Sequence, residues 1–216
     1  MNLSLQRGEL ASLIGPNGCG KTTLLNALTG QIRVDAGEAR LGDANLLGLR
    51  PDRIARLGVA RKFQVPSVFP MLSVAENLAV ARQAAAQDAS RDRTVLEETG
   101  LADAGGRVAG TLAHGQKQWL EMGMLLVQRP QLLLLDEPTA GMTAAETRTT
   151  VRLLHRLREH FAVTMLVVEH DMRFIEALES RVMVMIAGEI VADGCFEEAR
   201  RNERVRHAYL GRAADD

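Results

Sequence analysis

The amino-acid sequence predicts an α/β fold with a mostly parallel sheet and an added helical insert. Short apolar runs alternate with segments whose apolar residues recur at helical spacing, and this alternation is typical of strand–helix units. The strands are predicted at residues 9–14, 58–64, 132–135, 163–168, 182–186 and 189–192. The helices are predicted at residues 23–28, 74–86, 116–129, 144–159, 171–180 and 197–210, with the insert near residues 66–115.

Local residues support the individual elements. The strand at residues 132–135 is fully apolar, because it consists of four successive leucines. Ser73 precedes the alanine-rich helix and Glu76 follows three residues later, which is the pattern of a capping box. Ala187 and Gly188 join the last two strands. No internal repeat or low-complexity linker interrupts the pattern, so we expect a single domain over residues 1–216.

Composition narrows the classes of function. The chain has 216 residues, of which 46% are apolar, and its formal net charge is -1. A chain so close to neutral offers no field that attracts nucleic acid, so nucleic acid is not an expected partner. Cys19 and Cys195 have neither Cys-x-x-Cys nor metal-ligand spacing, which suits a reducing compartment. No apolar run approaches the roughly 20 residues that cross a bilayer.

A glycine-rich turn between the first strand and the first helix carries the first chemical motif. It fits the pattern G-x-x-x-x-G-K-[ST] and consists of Gly15, Pro16, Asn17, Gly18, Cys19, Gly20, Lys21 and Thr22. Glycines let the backbone aim N–H groups at phosphate oxygens, and the helix adds its positive end. Lys21 is predicted to contact the β- and γ-phosphates, and Thr22 to offer its hydroxyl to Mg²⁺.

Two acids follow the fully apolar strand and distinguish this chain among nucleotide-binding proteins. Asp136 and Glu137 are predicted at the carboxyl edge of the sheet, where sites of α/β proteins form. Asp136 is suited to hold Mg²⁺ through water, and Glu137 to orient and deprotonate an attacking water. The chain contains no Asn-Lys-x-Asp guanine motif, which disfavours GTPase chemistry.

Further motifs resemble those of ABC ATPases and stand in the family order, and the resemblance covers essentially the whole chain. The signature LSGGQ is resembled by Leu112, Ala113, His114, Gly115 and Gln116. Gln64 is similar to the Q-loop glutamine and His170 to the switch histidine, while residues 138–143 fall where the family has its D-loop. The resemblance implies a P-loop NTPase of the ABC type. Its RecA-like, mostly parallel core would carry a helical signature subdomain at about residues 66–128.

The family mechanism implies a role for each motif. Two subunits would face each other head to tail, with ATP between Lys21 of one and Gly115 of the other. Gln64 would contact Mg²⁺ and water, and His170 would bond the γ-phosphate. Expected nucleotide contacts are Gly15, Pro16, Asn17, Gly18, Cys19, Gly20, Lys21, Thr22 and Thr23 on one subunit and Ala113, His114, Gly115 and Gln116 on the other. Expected catalytic residues are Lys21, Gln64, Glu137 and His170, and expected metal ligands are Thr22, Gln64 and Asp136.

Finer features resemble the subunits that serve importers of branched-chain amino acids and urea. They are the segments 61–66, 115–121, 140–143 and 209–212. His114 within the signature and the Gly141-Met142-Thr143 sequence are most similar to the urea type. The resemblance implies integral membrane permease subunits, a second ABC ATPase subunit and, indirectly, a periplasmic substrate-binding protein as partners. The implied location is peripheral, on the cytoplasmic face of the inner membrane.

Three departures from the family pattern keep a second function open. Ala113 replaces the signature serine, which removes a phosphate-binding hydroxyl and a helix N-cap, and Thr143 replaces the D-loop aspartate. Only 14 residues precede Gly15, and no aromatic residue before Phe63 is available to stack on adenine. We expect a short N-terminal strand region with an unpaired sheet edge. The alternative function is a nucleotide-binding pseudo-ATPase subunit of a heterodimeric transporter with a degenerate signature.

Overall fold

The computed structural model describes residues 1–63 and 67–210, with the side chains of Tyr209 and Leu210 left out. The strands in these residues are β1 Leu10–Ile14, β2 Arg40–Leu41, β3 Ala44–Asn45, β4 Val59–Lys62, β5 Leu132–Asp136, β6 Thr164–Val168, β7 Arg181–Ile186 and β8 Glu189–Gly194. The helices are α1 Lys21–Leu28, α2 Pro51–Arg56, α3 Val74–Ala84, α4 Asp92–Glu98, α5 His114–Leu126, α6 Ala144–Phe161, α7 Met172–Leu178, α8 Phe196–Arg201 and α9 Glu203–Leu210.

The main sheet has the strand order β4-β5-β6-β1-β7-β8. The five strands from β4 to β7 are parallel, and only β8 runs antiparallel, as the second half of a hairpin with β7. This arrangement confirms the predicted α/β fold with a mostly parallel sheet. The edges of this sheet are β4 and β8, whereas the first strand of the chain lies in its interior.

The sheet separates two hydrophobic clusters, and alternate residues of β5 contribute to each. Leu133 and Leu135 belong to the cluster that contains residues of α3, α5 and α6. Leu132 and Leu134 belong to the other cluster, together with Leu25 of α1. Side chains alternate across a strand, so four consecutive leucines supply both layers of core. This accounts for a strand that is apolar at every position before Asp136.

Three helices, α3, α4 and α5, lie between β4 and β5 in the chain and pack on one another. The predicted capping box of α3 is present, since Ser73 N–H donates to Glu76 Oε2 at 2.7 Å and Ser73 Oγ accepts from Glu76 N–H at 3.2 Å. A Cβ on Gly123 of α5 would lie only 3.1 Å from Val95 Cγ1 and 3.4 Å from Leu78 Cδ2. The absence of a side chain at Gly123 therefore lets α5 approach α3 and α4 closely.

Some predicted bounds were wrong. The single helix predicted at residues 197–210 is two helices, because Asn202 leaves the helical conformation with ψ of 123°. Its Oδ1 accepts the Arg204 N–H at 3.0 Å and so caps the start of α9. The helices α2 and α4 and the short strands β2 and β3 were not predicted. The helix predicted to begin at residue 116 begins instead at His114, within the signature resemblance.

Two opposite charges are buried where β4 packs on α5. Lys62 Nζ lies 3.6 Å from Glu121 Oε2, and both side chains are almost completely shielded from solvent. Burial lowers the pKa of Lys62 and raises the pKa of Glu121, while their mutual attraction opposes both changes. Lys62 Nζ also donates to Phe63 O at 3.0 Å, and Ser67 N–H donates to Glu121 Oε1 at 3.1 Å. The pair therefore ties α5 to the chain on both sides of residues 64–66.

Removal of one member of this pair is expected to destabilise the fold far more than removal of both charges. Lys62→Met should lower the free energy of unfolding by about 3–5 kcal/mol, because it leaves Glu121 buried without a counter-charge. Adding Glu121→Gln, which keeps an acceptor for Ser67 N–H, should restore most of that loss. Urea unfolding at neutral pH measures both changes. A double variant as unstable as Lys62→Met would contradict this description.

Candidate nucleotide site

The turn between β1 and α1 has a backbone that only glycine readily adopts. Gly18 and Gly20 have φ of 78° and 112°, in the left-handed region. A Cβ on Gly15 would lie 2.1 Å from Met185 O, so this position tolerates no side chain. Two bonds brace the turn: Cys19 N–H donates to Pro16 O at 3.2 Å, and Gly188 N–H donates to Cys19 O at 2.8 Å. The bond from Gly188 in the β7–β8 hairpin thus helps to fix the conformation of the turn.

The start of α1 offers donors to an anion. The first N–H groups of a helix have no acceptor within it, and the N-cap, Gly20, has no side chain to supply one. Thr22 and Thr23 are exposed, and apart from the chain neighbours of Gly18 no atom of the described residues lies within 4 Å of where a Cβ on Gly18 would stand. Lys21 Nζ donates to Gly15 O at 2.6 Å and Pro16 O at 3.1 Å, which holds the ammonium over the same turn. These groups fit the phosphates of a nucleotide.

Asp136 and Glu137 lie at the carboxyl end of β5, as predicted. Asp136 is buried, and its Oδ2 accepts from Arg61 Nη2 at 2.7 Å. Glu137 has φ of 46°, a left-handed conformation that is uncommon for a residue with a side chain. Its N–H donates to Val168 O at 2.9 Å, which fixes it against the end of β6. The chain therefore turns sharply after Asp136 and sends the two carboxylates in different directions.

His170 and Glu137 lie side by side at this edge. His170 Nδ1 is 3.4 Å from Glu137 Oε1, and the histidine side chain is 63% exposed. A carboxylate and an imidazole at this spacing are suited to orient a water molecule and to receive its proton. The geometry thus brings two of the predicted catalytic residues together, although they are 33 positions apart in the chain.

Glu169 organises this edge and was missed by the sequence analysis. Its side chain is only 2% exposed, and its Oε1 accepts from the Thr139 N–H at 3.1 Å and the Thr139 hydroxyl at 2.5 Å. Its Oε2 accepts the His170 N–H at 3.1 Å. Glu169 therefore links the loop after Glu137 to His170. The signal that could have identified Glu169 in the sequence is an acid directly after a predicted buried strand, as at Asp136.

The helix α5 begins at the signature turn, where the N-cap residue, Ala113, has no side chain that can accept a hydrogen bond. Ala113 has the extended backbone of an N-cap but makes no side-chain bond. Glu146 of α6 replaces it, because its Oε1 accepts the Gly115 N–H at 3.2 Å. The other oxygen accepts from Thr143 N–H at 2.9 Å and from Thr143 Oγ1 at 2.8 Å. The bonds from Thr143, and then from Gly115, lower the pKa of Glu146.

The predicted site residues form two groups in this chain. The residues of the glycine-rich turn, Asp136, Glu137 and His170 lie at one end of the sheet. The signature residues instead contact the loop after Glu137, where His114 Nε2 lies 2.9 Å from Ala140 O. In the described part of the chain, no hydrogen bond joins residues 113–116 to residues 15–23. Gln64 and the segments 65–66 and 211–212 lie outside the described residues.

The glycine turn, the helix that follows it and the acids at the end of β5 define a P-loop protein that binds nucleotide. The family model described as ABC transporter matches residues 1–140, and the chain belongs to this family of ATP-binding cassette ATPases. None of the helices in the described residues has the length and apolar character to cross a membrane.

Individual relatives agree with this assignment. The chain is 39% identical to the high-affinity branched-chain amino acid transport ATP-binding protein LivG of Escherichia coli K12, covering 99% of this chain and 91% of that protein. It is 37% identical to the corresponding BraF of Pseudomonas aeruginosa, with the same coverage. The solved ADP conformation of MJ1267, an ATP-binding cassette of an ABC transporter, superposes with a TM-score of 0.86 at 26% identity, covering 97% of this chain and 90% of that one.

Glu146 accepts the Gly115 N–H in place of an N-cap side chain, and this predicts how a serine at position 113 would change the stability of the protein. Ala113→Ser should raise the free energy of unfolding by less than about 0.5 kcal/mol, because the Gly115 N–H already has an acceptor. In a Glu146→Ala background the same change should add about 1 kcal/mol. Glu146→Ala also removes the bonds from Thr143 at the start of α6. This loss is the same whether residue 113 is alanine or serine, so it cancels when the two gains in stability are compared. Equal gains in the two backgrounds, measured by urea unfolding, would show that Glu146 does not cap α5.

Proposed function

We propose that this chain binds MgATP and hydrolyses it as the ATPase subunit of an ABC importer. The observation that carries the proposal is the 3.4 Å contact between Glu137 Oε1 and His170 Nδ1, at the sheet edge to which the glycine turn also belongs. A phosphate-binding turn alone would serve many nucleotide-binding proteins. The adjacent carboxylate and imidazole add groups that can activate water.

Each residue of the turn and the strand end has a proposed role. Lys21 leaves the carbonyl oxygens of its own loop and contacts the β- and γ-phosphates. The Thr22 hydroxyl and, through water, Asp136 would hold Mg²⁺, which would neutralise charge at the phosphates when bound. Glu137 orients the attacking water and takes its proton, and His170 donates to the γ-phosphate. Gln64 is proposed as a further ligand by resemblance alone.

Residues 113–116 are proposed to act on the nucleotide of a second ATPase subunit. They lie at the N-terminus of α5, and they make no hydrogen bond to the turn at residues 15–23 within the described residues. Residues 66–128 are proposed as the helical signature subdomain, since α3, α4 and α5 pack on one another. A head-to-tail dimer would bring the Gly115 N–H to the γ-phosphate held by the partner subunit.

The proposed docking surface for a permease is an apolar patch formed by Phe69, Met71 and Val108. Phe69, Met71 and Val108 are 47%, 85% and 43% exposed. Backbone bonds keep them together, since Ala109 N–H donates to Leu72 O at 2.8 Å. A permease segment with an apolar face would fit this patch, and it would hold the subunit at the cytoplasmic face of the inner membrane. The periplasmic substrate-binding protein would act only through that permease.

The proposed transported substrate is either a branched-chain amino acid or urea. The relatives LivG and BraF are branched-chain amino acid transport proteins, which favours these substrates, and both align with nearly the whole chain. Urea is supported by the resemblance of His114 and of the Gly141-Met142-Thr143 sequence. Neither substrate touches an ATPase subunit, so the choice depends on the permease and on the binding protein.

The second candidate function is a nucleotide-binding pseudo-ATPase in a heterodimer. The specific observation in its favour is the Gly115 N–H, which donates to Glu146 Oε1 in this chain. Ala113 supplies no hydroxyl to compensate at a partner's γ-phosphate. In this function the chain would bind nucleotide for assembly, and the partner ATPase would supply the turnover.

Replacement of the proposed general base separates the two functions. Glu137→Gln should lower phosphate release from MgATP by at least about a hundredfold, because the amide cannot take the proton. Bound ATP should be retained through gel filtration, since the groups that contact the phosphates remain. Glu176→Gln on the exposed surface of α7 is the matched control and should behave as the parent. Turnover of the assembled transporter that is unchanged by Glu137→Gln would favour the pseudo-ATPase.

A further inference from the structure

An arginine is buried between the two halves of the nucleotide site. Arg61 lies on β4, opposite Leu134 of β5, and its side chain is only 5% exposed. Its Nη2 donates to Asp136 Oδ2 at 2.7 Å, and its Nη1 donates to Asn26 Oδ1 at 2.7 Å. The planar guanidinium thus bonds the strand-end acid with one nitrogen and helix α1 with the other.

The position of Asn26 makes the second bond informative. Asn26 follows Thr22 by four residues on α1, and side chains at this spacing lie on the same face of a helix. The Thr22 hydroxyl and Asp136 are the groups proposed to hold Mg²⁺. Arg61 therefore connects the helix face that carries Thr22 to the strand end that carries Asp136.

The same guanidinium also contacts the start of the segment that contains Gln64. Its Cζ lies 4.8 Å from the centre of the Phe63 ring, a cation–π contact. Phe63 is the last described residue before Gln64, and its ring is partly exposed. Arg61 thus contacts α1, Asp136 and the residue before Gln64.

Arg61 leaves part of Asp136 available. It bonds Oδ2, and no described residue donates a hydrogen bond to Oδ1. A rigid guanidinium that holds one carboxylate oxygen fixes the direction of the other. Partners that orient a metal-binding carboxylate in this way commonly set the affinity for the metal.

We propose that Arg61 is a positioning residue of the magnesium site, which holds Asp136 and the Thr22 face of α1 in a fixed arrangement relative to each other. The inference rests on the proposed function, because it assigns Asp136 and Thr22 to the metal. Arg61 itself does not touch the nucleotide. Its positive charge also offsets the buried carboxylate of Asp136 before any metal binds.

The experiment compares nucleotide affinity with and without Mg²⁺. The probe is ATPγS, titrated into the purified chain by calorimetry, once with excess Mg²⁺ and once with EDTA. The ratio of the two affinities measures the contribution of the metal. Arg61→Lys keeps the charge but replaces the two guanidinium nitrogens that bond Asn26 and Asp136 with a single ammonium on a flexible chain. Asn26→Ala leaves the bond to Asp136 intact.

The ratio is expected to fall roughly tenfold in Arg61→Lys and by a smaller factor in Asn26→Ala. Affinity in EDTA should stay within about twofold of the parent, because the phosphate-binding turn is unchanged. The matched control is Arg82→Met, which removes an arginine paired with Asp92 at 3.1 Å in the helical segment. It should lower the melting temperature without changing the ratio.

Different outcomes test the role of Arg61 and the existence of the magnesium site separately. A parental ratio in both Arg61→Lys and Asn26→Ala overturns the role of Arg61 and leaves the proposed function intact. A parent that binds ATPγS equally well in Mg²⁺ and EDTA overturns the magnesium site itself. A fall in the ratio for Arg82→Met as large as that for Arg61→Lys also overturns the proposal, since it would reflect general destabilisation.

Discussion

Parallel pairing of β1, β5 and β6 is the constraint on which the site depends. Val168 at the end of β6 is paired with Leu13 of β1 on one side and with Asp136 of β5 on the other. The three strands therefore end level, and the segments that follow them emerge at one edge of the sheet. This register alone brings the glycine turn, the Asp136–Glu137 pair and His170 together. Because all three strands are buried on both faces, their register cannot shift without moving core residues out of place.

The sequence could predict the parts of the site that directly follow a strand, namely the glycine turn and the acids at residues 136 and 137. Four leucines before Asp136 mark a buried strand, and a glycine turn before a helix marks a phosphate site. Arg61 and Lys62 were not predicted as buried charges, because the oppositely charged partner of each lies at least 59 positions further along the chain. The left-handed φ of Glu137 also has no signal in its residue type. Asn202 divided the last predicted helix through a local cap that periodicity does not detect.

The signature turn illustrates how a missing side chain can be replaced from a distance. The sequence predicts that Ala113 costs α5 its N-cap, and this is correct for the alanine itself. Glu146 of α6, which lies 31 residues after Gly115, supplies the acceptor instead. The same side chain also accepts the Thr143 N–H at the start of its own helix. In the dimer proposed above, the stability of α5 and the availability of the Gly115 N–H to a partner's nucleotide would therefore be coupled. Glu146 would have to release this N–H before the N–H could donate to a phosphate.

The central claim is that Lys21 and the turn around it bind the phosphates of ATP. The most direct measurement is a crystal structure of the chain soaked with MgATP, together with phosphate release by the parent and by Lys21→Ala. The account predicts that Lys21 Nζ moves from Gly15 O and Pro16 O to the phosphates, and that Lys21→Ala loses turnover. Nucleotide bound elsewhere, with Lys21 still on these two carbonyl oxygens and Lys21→Ala as active as the parent, would contradict it.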